Sequence, residues 1–173
     1  MSDVQNVMVR RGSFTRPADT TQYTANDLVA GSTSVLASNT FEVPNVVKHP
    51  GEAFRFDVVR LRKTNISLTA ASFRVHFFRA QPTWTVADNG AGGAIGALAV
   101  TSIADHVGYV DITMDRASAT ASGGAYGKAN PSVGAIAISP LVGTSIYCAV
   151  QATSTYTPAS AEVFSVEFEG ICS

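Results

Sequence analysis

Three histidines are the residues of this sequence best suited to bind a metal or to move a proton near neutral pH. They are His49, His76 and His106, and no two of them form an HxH or HExxH pair. A metal site would therefore have to be assembled entirely by the fold. The alternation of residues 73–79 places His76 on the same outward face as Arg74. We therefore expect surface or strand-edge histidines and no metal site.

Patterns for a nucleophile or a nucleotide are equally weak. Asp105 and His106 are adjacent, but no GxSxG nucleophile elbow accompanies them. The glycine-rich stretch 90–96 resembles a phosphate-binding loop, yet Pro82 and Trp84 precede it where a dinucleotide-binding unit needs a strand. We interpret the stretch as a mobile loop, and we expect neither an enzyme nor a cofactor.

The two cysteines, Cys148 and Cys172, have neither the spacing of a zinc site nor that of a disulfide framework. Cys148 lies on the inward phase of the apolar segment Ile146–Val150, where a thiol usually packs in the core. A bridge would require the last strand to run beside this segment. No feature of the sequence indicates an oxidising compartment, so we expect reduced thiols.

A small basic cluster lies near the start of the chain, at Arg10, Arg11 and Arg16. Three arginines are too few to hold DNA at physiological salt. Two interpretations stay open: residues 1–16 are a solvated terminal segment, or they are an N-terminal arm that docks on an acidic partner surface.

These residues must be positioned by strands, because apolar and polar residues alternate along most of the chain. In Phe73–Arg79, for example, Phe73, Val75 and Phe77 share one face. About eight strands are predicted: Val4–Phe14, Phe41–Lys48, Phe54–Lys63, Phe73–Arg79, Val107–Met114, Val133–Ser139, Ile146–Val150 and Val163–Ile171. We predict an all-β fold, an antiparallel β-sandwich that is jelly-roll-like, with residues 17–173 as a single domain.

Two details of the strands are also predicted. The apolar phase of Phe54–Lys63 changes at Val58-Val59, which indicates a β-bulge there. Outward-facing charges of both signs favour ion pairs across strands. The residues concerned are Arg60, Arg62 and Arg74 with Glu167 and Glu169.

Three connections are longer than is usual in a compact domain: Thr15–Asn39, Ala80–Asp105 and Arg116–Asn130. Ala94–Ala104 is the segment in which a short helix is most plausible. Asp19 and the threonines that follow it form a turn-rich motif whose side chains can cap backbone N–H groups, so we favour a structural role for it.

The chain carries little charge, and the charge is unevenly placed. Lys and Arg number 12 and Asp and Glu 13, the net charge is −1, and only 14% of residues are charged. Residues 80–104 contain only Asp88, and residues 117–161 contain only Lys128. Because permanent interfaces are depleted in charge, we expect these long loops to be buried in an assembly. A pI near 6.3 argues against general nucleic-acid binding, and no apolar run predicts a membrane span or a signal peptide.

Three stretches carry a resemblance to a known group of proteins. They are Phe14-Thr15-Arg16-Pro17-Ala18-Asp19-Thr20-Thr21-Gln22-Tyr23 with Asp27-Leu28-Val29-Ala30, then Ser72–Phe78 with Gln81-Pro82-Thr83, and Tyr156-Thr157-Pro158-Ala159-Ser160-Ala161-Glu162. In this order they resemble small virion-associated proteins that tailed bacteriophages encode near their capsid genes. The resemblance implies a phage structural protein of the capsid decoration or cement type, and it supplies no catalytic residues.

The sequence thus predicts a non-enzymatic virion protein that is assembled in the bacterial host cytoplasm and self-associates, with a trimer as our guess. Its expected partners are the major capsid protein or other virion proteins, without specific nucleic acid and without a membrane. The candidate contact residues are Arg10, Arg11, Arg16, Trp84 and Tyr126. The alternative is a minor neck, head-fibre or tail-associated component that joins virion parts or binds a host glycan through aromatic side chains, among them Tyr109 and Tyr156. A small hydrolase on a β-sandwich is the least favoured hypothesis.

Overall fold

A computed structural model describes residues 7–34, 39–90, 100–120, 123–131 and 136–172 of the chain. The described residues form eleven strands and one short helix. The strands are β1 (Val7–Thr15), β2 (Leu28–Val29), β3 (Phe41–Val43), β4 (Phe54–Lys63), β5 (Ser72–Phe78), β6 (His106–Thr113), β7 (Arg116–Ala117), β8 (Ala125–Ala129), β9 (Ala137–Ile138), β10 (Ile146–Ala152) and β11 (Val163–Cys172), and the helix is α1 (Val100–Ile103).

The strands form two antiparallel sheets that pack face to face. The first sheet has the order β1-β11-β4-β8-β7, with β9 pairing with β4 beside β8. The second has the order β2-β10-β5-β6, with β3 pairing with β10 beside β2. This confirms the predicted all-β sandwich.

Aromatic rings fill the space between the sheets. The ring of Phe56 lies 4.9 Å from those of Phe77 and Phe168, so that one contact crosses from the first sheet to the second. All three side chains are fully buried. They lie on the inward phases of β4, β5 and β11, as the alternation predicts.

The predicted β-bulge is confirmed one residue away from Val58-Val59. Glu169 lies opposite Val58 whereas the next residue, Gly170, lies opposite Phe56, so Asp57 is the extra residue. The bulge explains the change of phase along β4. It also places Lys63 on the inward phase together with Val59 and Leu61.

Several connections differ from what the sequence predicts. Over its described part the predicted strand Val4–Phe14 is confirmed as β1, but β1 pairs with β11 along its whole length, because Met8 and Gly12 face the core, so residues 7–15 of the predicted N-terminal arm belong to the sandwich. The predicted loop Arg116–Asn130 contains β7 and β8, and although alanine and glycine are typical of loops, Ala125 and Gly127 of β8 are buried here. In Ala94–Ala104 only α1 is described. Residues 94–99, and residues 91–96 of the glycine-rich stretch, lie outside the described part, as do 133–135 of the predicted strand Val133–Ser139.

The two ends of the sandwich differ in character. β1 begins at Val7, opposite Ile171, and residues 139–145 join β9 to β10 at this same end, which we call the Leu141 end. β4 finishes at the opposite end, which we call the Lys63 end.

The outer face of the second sheet is covered by the chain itself. Trp84 packs edge-on against Phe78, with their ring centroids 6.0 Å apart, and both side chains are buried. Leu28, Ala30 and Ala149 complete this second apolar cluster. Part of the low charge of residues 80–90 therefore results from packing within the chain rather than against a partner.

Candidate functional site

The five predicted contact residues do not form one surface. Arg11 is 57% exposed and pairs with Glu167, and Arg10 donates from Nε to the carbonyl oxygen of Asn45. Arg16 and Trp84 are buried, so neither side chain is available at the surface of this chain. Tyr126 is 37% exposed, on the outer face of the first sheet. The basic cluster at the start of the chain is therefore divided among three separate sites.

Arg16 lies in a closed polar pocket directly after β1. Its Nη2 lies 3.0 Å from Oδ2 of Asp88, and its Nε donates to the hydroxyl of Tyr23. That hydroxyl donates to Oδ1 of Asp88 at 2.6 Å, and the same oxygen accepts from the backbone N of Ala30 at 2.8 Å. Burial of the phenol, followed by the charge of Asp88, raises the pKa of Tyr23. The pocket thus holds a neutral tyrosine between a buried cation and a buried anion.

The turn after Arg16 supports this pocket. Oδ1 of Asp19 accepts from the backbone N of Thr21 at 3.0 Å and lies 3.3 Å from Nη2 of Arg16. The backbone hydrogen bond, the largest favourable cause, lowers the pKa of Asp19. The capping of a backbone N–H that the sequence predicts for this motif is confirmed at Asp19.

A second buried ion pair lies at the Lys63 end. The Nζ of Lys63 donates to the carbonyl oxygens of Asn65 at 2.7 Å and Ser67 at 2.6 Å, and it lies 3.5 Å from Oε1 of Glu162. The hydroxyl of Tyr156 donates to the same carboxylate at 2.7 Å. Burial lowers the pKa of Lys63, with Glu162 partly opposing the shift, and burial raises the pKa of Tyr156.

The two ion pairs belong to one network. The backbone N of Tyr23 donates to the carbonyl oxygen of Tyr156 at 2.8 Å, and the reverse bond measures 3.2 Å. Ala159 joins both sites, since its carbonyl oxygen accepts from Arg16 and its N donates to Glu162. The side chains of Arg16, Lys63 and Glu162 have no exposed area. Because these buried charges are paired and hydrogen-bonded, the network fixes the loops at this end.

His76 and His106, which lie far apart in the sequence, meet on the outer face of the second sheet. Nδ1 of His76 lies 3.1 Å from Nε2 of His106, and Nε2 of His76 lies 2.8 Å from Oε1 of Gln151. Burial lowers the pKa of His76 to about 4 and also lowers that of His106. The predicted surface position of His76 is wrong: the side chain is on the outward face, but it is buried beside His106 and Gln151. Within the described ranges, no three His, Cys, Asp or Glu side chains form a possible metal site.

The outer face of the first sheet carries a small polar cleft of about 200 Å³. Three of its five lining residues are cationic: it is lined by Arg60, Asp115, Arg116, Tyr126 and Lys128. Arg60 turns toward β11, where it pairs with Glu167 and Glu169, as the sequence predicts. Arg74 lies in the second sheet and pairs with Asp111 instead, so its predicted pairing with these glutamates is wrong.

Among the described residues, the large apolar side chains with the greatest exposure lie at the Leu141 end. Val142 is 82% exposed and Leu141 53%, in the turn between β9 and β10. The backbone of this turn is held, because Leu141 N donates to the carbonyl oxygen of Arg79 and Thr144 O accepts from Val46 N. Val7, at 60%, lies at the same end.

Sequence reasoning missed both buried ion pairs and the histidine pair. The sequence did contain one indication of a buried lysine. After the bulge, Lys63 has the same phase as Val59 and Leu61, which predicts that its side chain points inward. Asp88 gave no comparable signal, because 72 positions separate it from Arg16. The cysteines agree with expectation, since Cys148 and Cys172 lie in different sheets and neither forms a disulfide.

Comparison with known proteins adds no relative. No family model matches the chain, and no curated protein is significantly similar to it. No helix among the described residues is long and apolar enough to cross a membrane.

Proposed function

We propose that the chain is a non-enzymatic structural protein of a tailed-phage virion, and that it binds the assembled capsid shell as a decoration or cement protein. The observation that carries this proposal is the apolar tip at the Leu141 end, by which we mean Leu141 and Val142: their side chains are exposed, and the backbone of their turn is held by hydrogen bonds. An isolated monomer gains nothing from a hydrogen-bonded turn that presents two large aliphatic side chains to water, whereas a docking protein buries them against a neighbour.

The strand order supports a jelly-roll assignment for the sandwich. Counting β2 with β3 as one position and β7 to β9 as another leaves eight positions along the chain. With the positions numbered along the chain, the strands of one sheet lie in the order 1, 8, 3, 6, and those of the other sheet lie in the order 2, 7, 4, 5. Two interlocked Greek keys give this order, and such double sheets are common in viral capsid proteins. The fold is used for many functions, so this support is by analogy.

Stabilisation of the shell follows from mass action. A protein that binds only the assembled shell opposes its rupture by the free energy of binding multiplied over all copies. Burial of the Leu141 and Val142 side chains contributes about 1.5–3 kcal/mol each for the fraction that becomes inaccessible. The closed polar network at the Lys63 end keeps the sandwich rigid without taking part in the contact.

A cosedimentation experiment tests the proposal. Purified protein is added to phage particles that lack it, and the bound fraction is compared for the wild type and for Leu141→Asp/Val142→Asp. We expect the double variant to fold normally and to lose at least tenfold in binding. The matched control is Ile66→Asp/Leu68→Asp at the Lys63 end, whose side chains are 38% and 39% exposed. Equal binding by the wild type and the Leu141-end variant would contradict the proposal.

The alternative, a minor neck, head-fibre or tail-associated protein that binds a glycan, has less support. Stacking on a sugar needs an open aromatic face. Trp84 and Tyr156 are buried. Tyr109 and Tyr126 are exposed, but the guanidinium carbon of Arg74 lies 3.9 Å from the ring centre of Tyr109, and that of Arg116 lies 6.0 Å from the centre of Tyr126.

A further inference from the structure

Cations that form no ion pair with a described carboxylate are concentrated on the outer face of the first sheet. Half of the twelve lysines and arginines form ion pairs with described carboxylates: Arg11, Arg16, Arg55, Arg60, Lys63 and Arg74. Of the other six, three lie on neighbouring strands at one place. They are Arg62 on β4, Lys128 on β8 and Arg116 on β7, and all three are exposed.

The strand register brings these cations close together. Lys128 lies directly opposite Arg60, and Tyr126 lies between Arg62 on one side and Arg116 on the other. Like charges directly opposite each other destabilise a sheet by up to about 1 kcal/mol. Arg60 is compensated by two glutamates on its other side, but no described carboxylate lies within ion-pair distance of Lys128. An unfavourable arrangement of this kind is explained if an anion from outside the chain lies among the cations.

The cleft at this place has the form of an anion site. It holds about 200 Å³ between the side chains of Arg60, Arg116 and Lys128, and the Tyr126 hydroxyl, which accepts from Nη1 of Arg116 at 3.4 Å, lies at its rim. Asp115 is the one carboxylate among the lining residues. Because the cations are carried on paired strands, the backbone positions from which they project are fixed before any partner binds.

We propose that Arg62, Arg116 and Lys128 form a docking surface for an acidic segment of a protein, whose carboxylates enter the cleft. In identifying the protein as a subunit of the capsid shell, the inference rests on the proposed function. A nucleic acid is a poorer fit, because a phosphate backbone that runs along the sheet past the cleft also meets Glu167 and Glu169, which repel it. A short acidic segment can place its carboxylates in the cleft without running along the rest of the sheet.

The test uses the full chain and a fluorescent decaglutamate peptide, with binding followed by anisotropy at about 50 mM and about 200 mM salt. We expect binding that weakens with salt, and we expect Arg62→Ser/Lys128→Ser to lose roughly tenfold in affinity. The matched control is Lys48→Ser/Arg55→Ser, which removes the same charge from exposed positions elsewhere and should lose less than twofold. Absence of binding at low salt, or equal losses in both variants, overturns the proposal.

Two further arms separate the possible failures. An oligothymidylate of the same charge is titrated in parallel, and tighter binding of it through Arg62 and Lys128 would overturn the choice of a protein partner. Cosedimentation with particles is then measured for both variants. If Arg62→Ser/Lys128→Ser does not affect particle binding, this surface is not the docking surface, but the proposed function still holds. If decaglutamate binds but the protein does not bind particles, the proposed function is wrong, but the surface still binds acidic segments.

Discussion

Tyr23 and Tyr156 are joined through their backbones by a reciprocal pair of hydrogen bonds, 2.8 Å and 3.2 Å long. Each hydroxyl then donates to a different buried carboxylate, Tyr23 to Asp88 and Tyr156 to Glu162. One short bridge thereby connects the loop that follows β1 with the loop that precedes β11. Tyr23 and Tyr156 each belong to one of the stretches that resemble phage proteins. The buried network that the two tyrosines form gives the residues of those stretches a structural role.

Removing one hydroxyl from this network should be costly. Tyr23→Phe takes away the donor to Asp88 and leaves a buried carboxylate with one fewer hydrogen bond. We expect the free energy of unfolding in urea to fall by about 1–3 kcal/mol. Tyr126→Phe, at an exposed position, is the control and should change it by less than about 0.5 kcal/mol. Equal effects of the two substitutions would show that the Tyr23 hydroxyl is not buried in a network.

The burial of Arg16 gives a larger expected effect. Arg16→Met keeps much of the side-chain volume but leaves Asp88 buried without its cation, which typically costs about 3–5 kcal/mol. Arg11→Met is the matched control, since Arg11 is more than half exposed and its ion pair should contribute at most about 1 kcal/mol. Chemical denaturation of both variants gives the comparison. A stable Arg16→Met protein would instead favour the solvated terminal segment that the sequence left open.

The histidine pair predicts a dependence of stability on pH. The pKa of His76 is about 4 in the folded chain, against 6.5 for an ordinary histidine. Between these values the unfolded chain binds the proton and the folded chain does not, so the free energy of unfolding falls as the pH drops from 6.5 to 4. The full contribution is present above pH 6.5, and the loss is at most roughly 3 kcal/mol.

Substitution isolates this contribution from that of the carboxylates. His76→Gln should flatten the stability curve between pH 6.5 and 4, measured by urea unfolding at each pH. His49→Gln, at an exposed histidine, should leave the slope as in the wild type. A wild-type slope in His76→Gln would mean that His76 titrates normally in the folded chain.

The single tryptophan reports whether residues 80–90 cover the second sheet. Trp84 is 2% exposed and packs against Phe78, so its emission should be blue-shifted and poorly quenched by acrylamide. Phe78→Ala should increase quenching, because it removes the ring against which the indole packs. Quenching of the native protein as efficient as that of free tryptophan would contradict this packing.

The regular part of the fold was predictable from the sequence for a physical reason. Inward residues of β4, β5, β6, β10 and β11 alternate with a period of two, and the change of phase at Val58-Val59 indicated the bulge to within one residue of Asp57. β7 and β8 escaped prediction because alanine, serine and glycine carry little apolar signal. β2 escaped because two residues are too few to show a period.

The charged sites were harder to predict. The ion pair between Arg60 and Glu167 could be predicted, because both residues have outward phases and their strands are neighbours in the sheet. Asp88, the buried carboxylate that pairs with Arg16, is 72 positions away, and Glu162, which pairs with Lys63, is 99 positions away; both lie on loops without periodicity. Their burial depends on how those loops close, which residue patterns within one segment do not specify.

The number of copies of the protein in each phage particle tests the central claim most directly. Quantitative gel analysis of purified particles, with the major capsid protein as internal standard, gives this number. A shell decoration follows the shell's symmetry, so we predict a copy number in the hundreds, or roughly one for every few capsid subunits. A value of about a dozen, as at a neck or portal, or complete absence from the particle, would contradict the account.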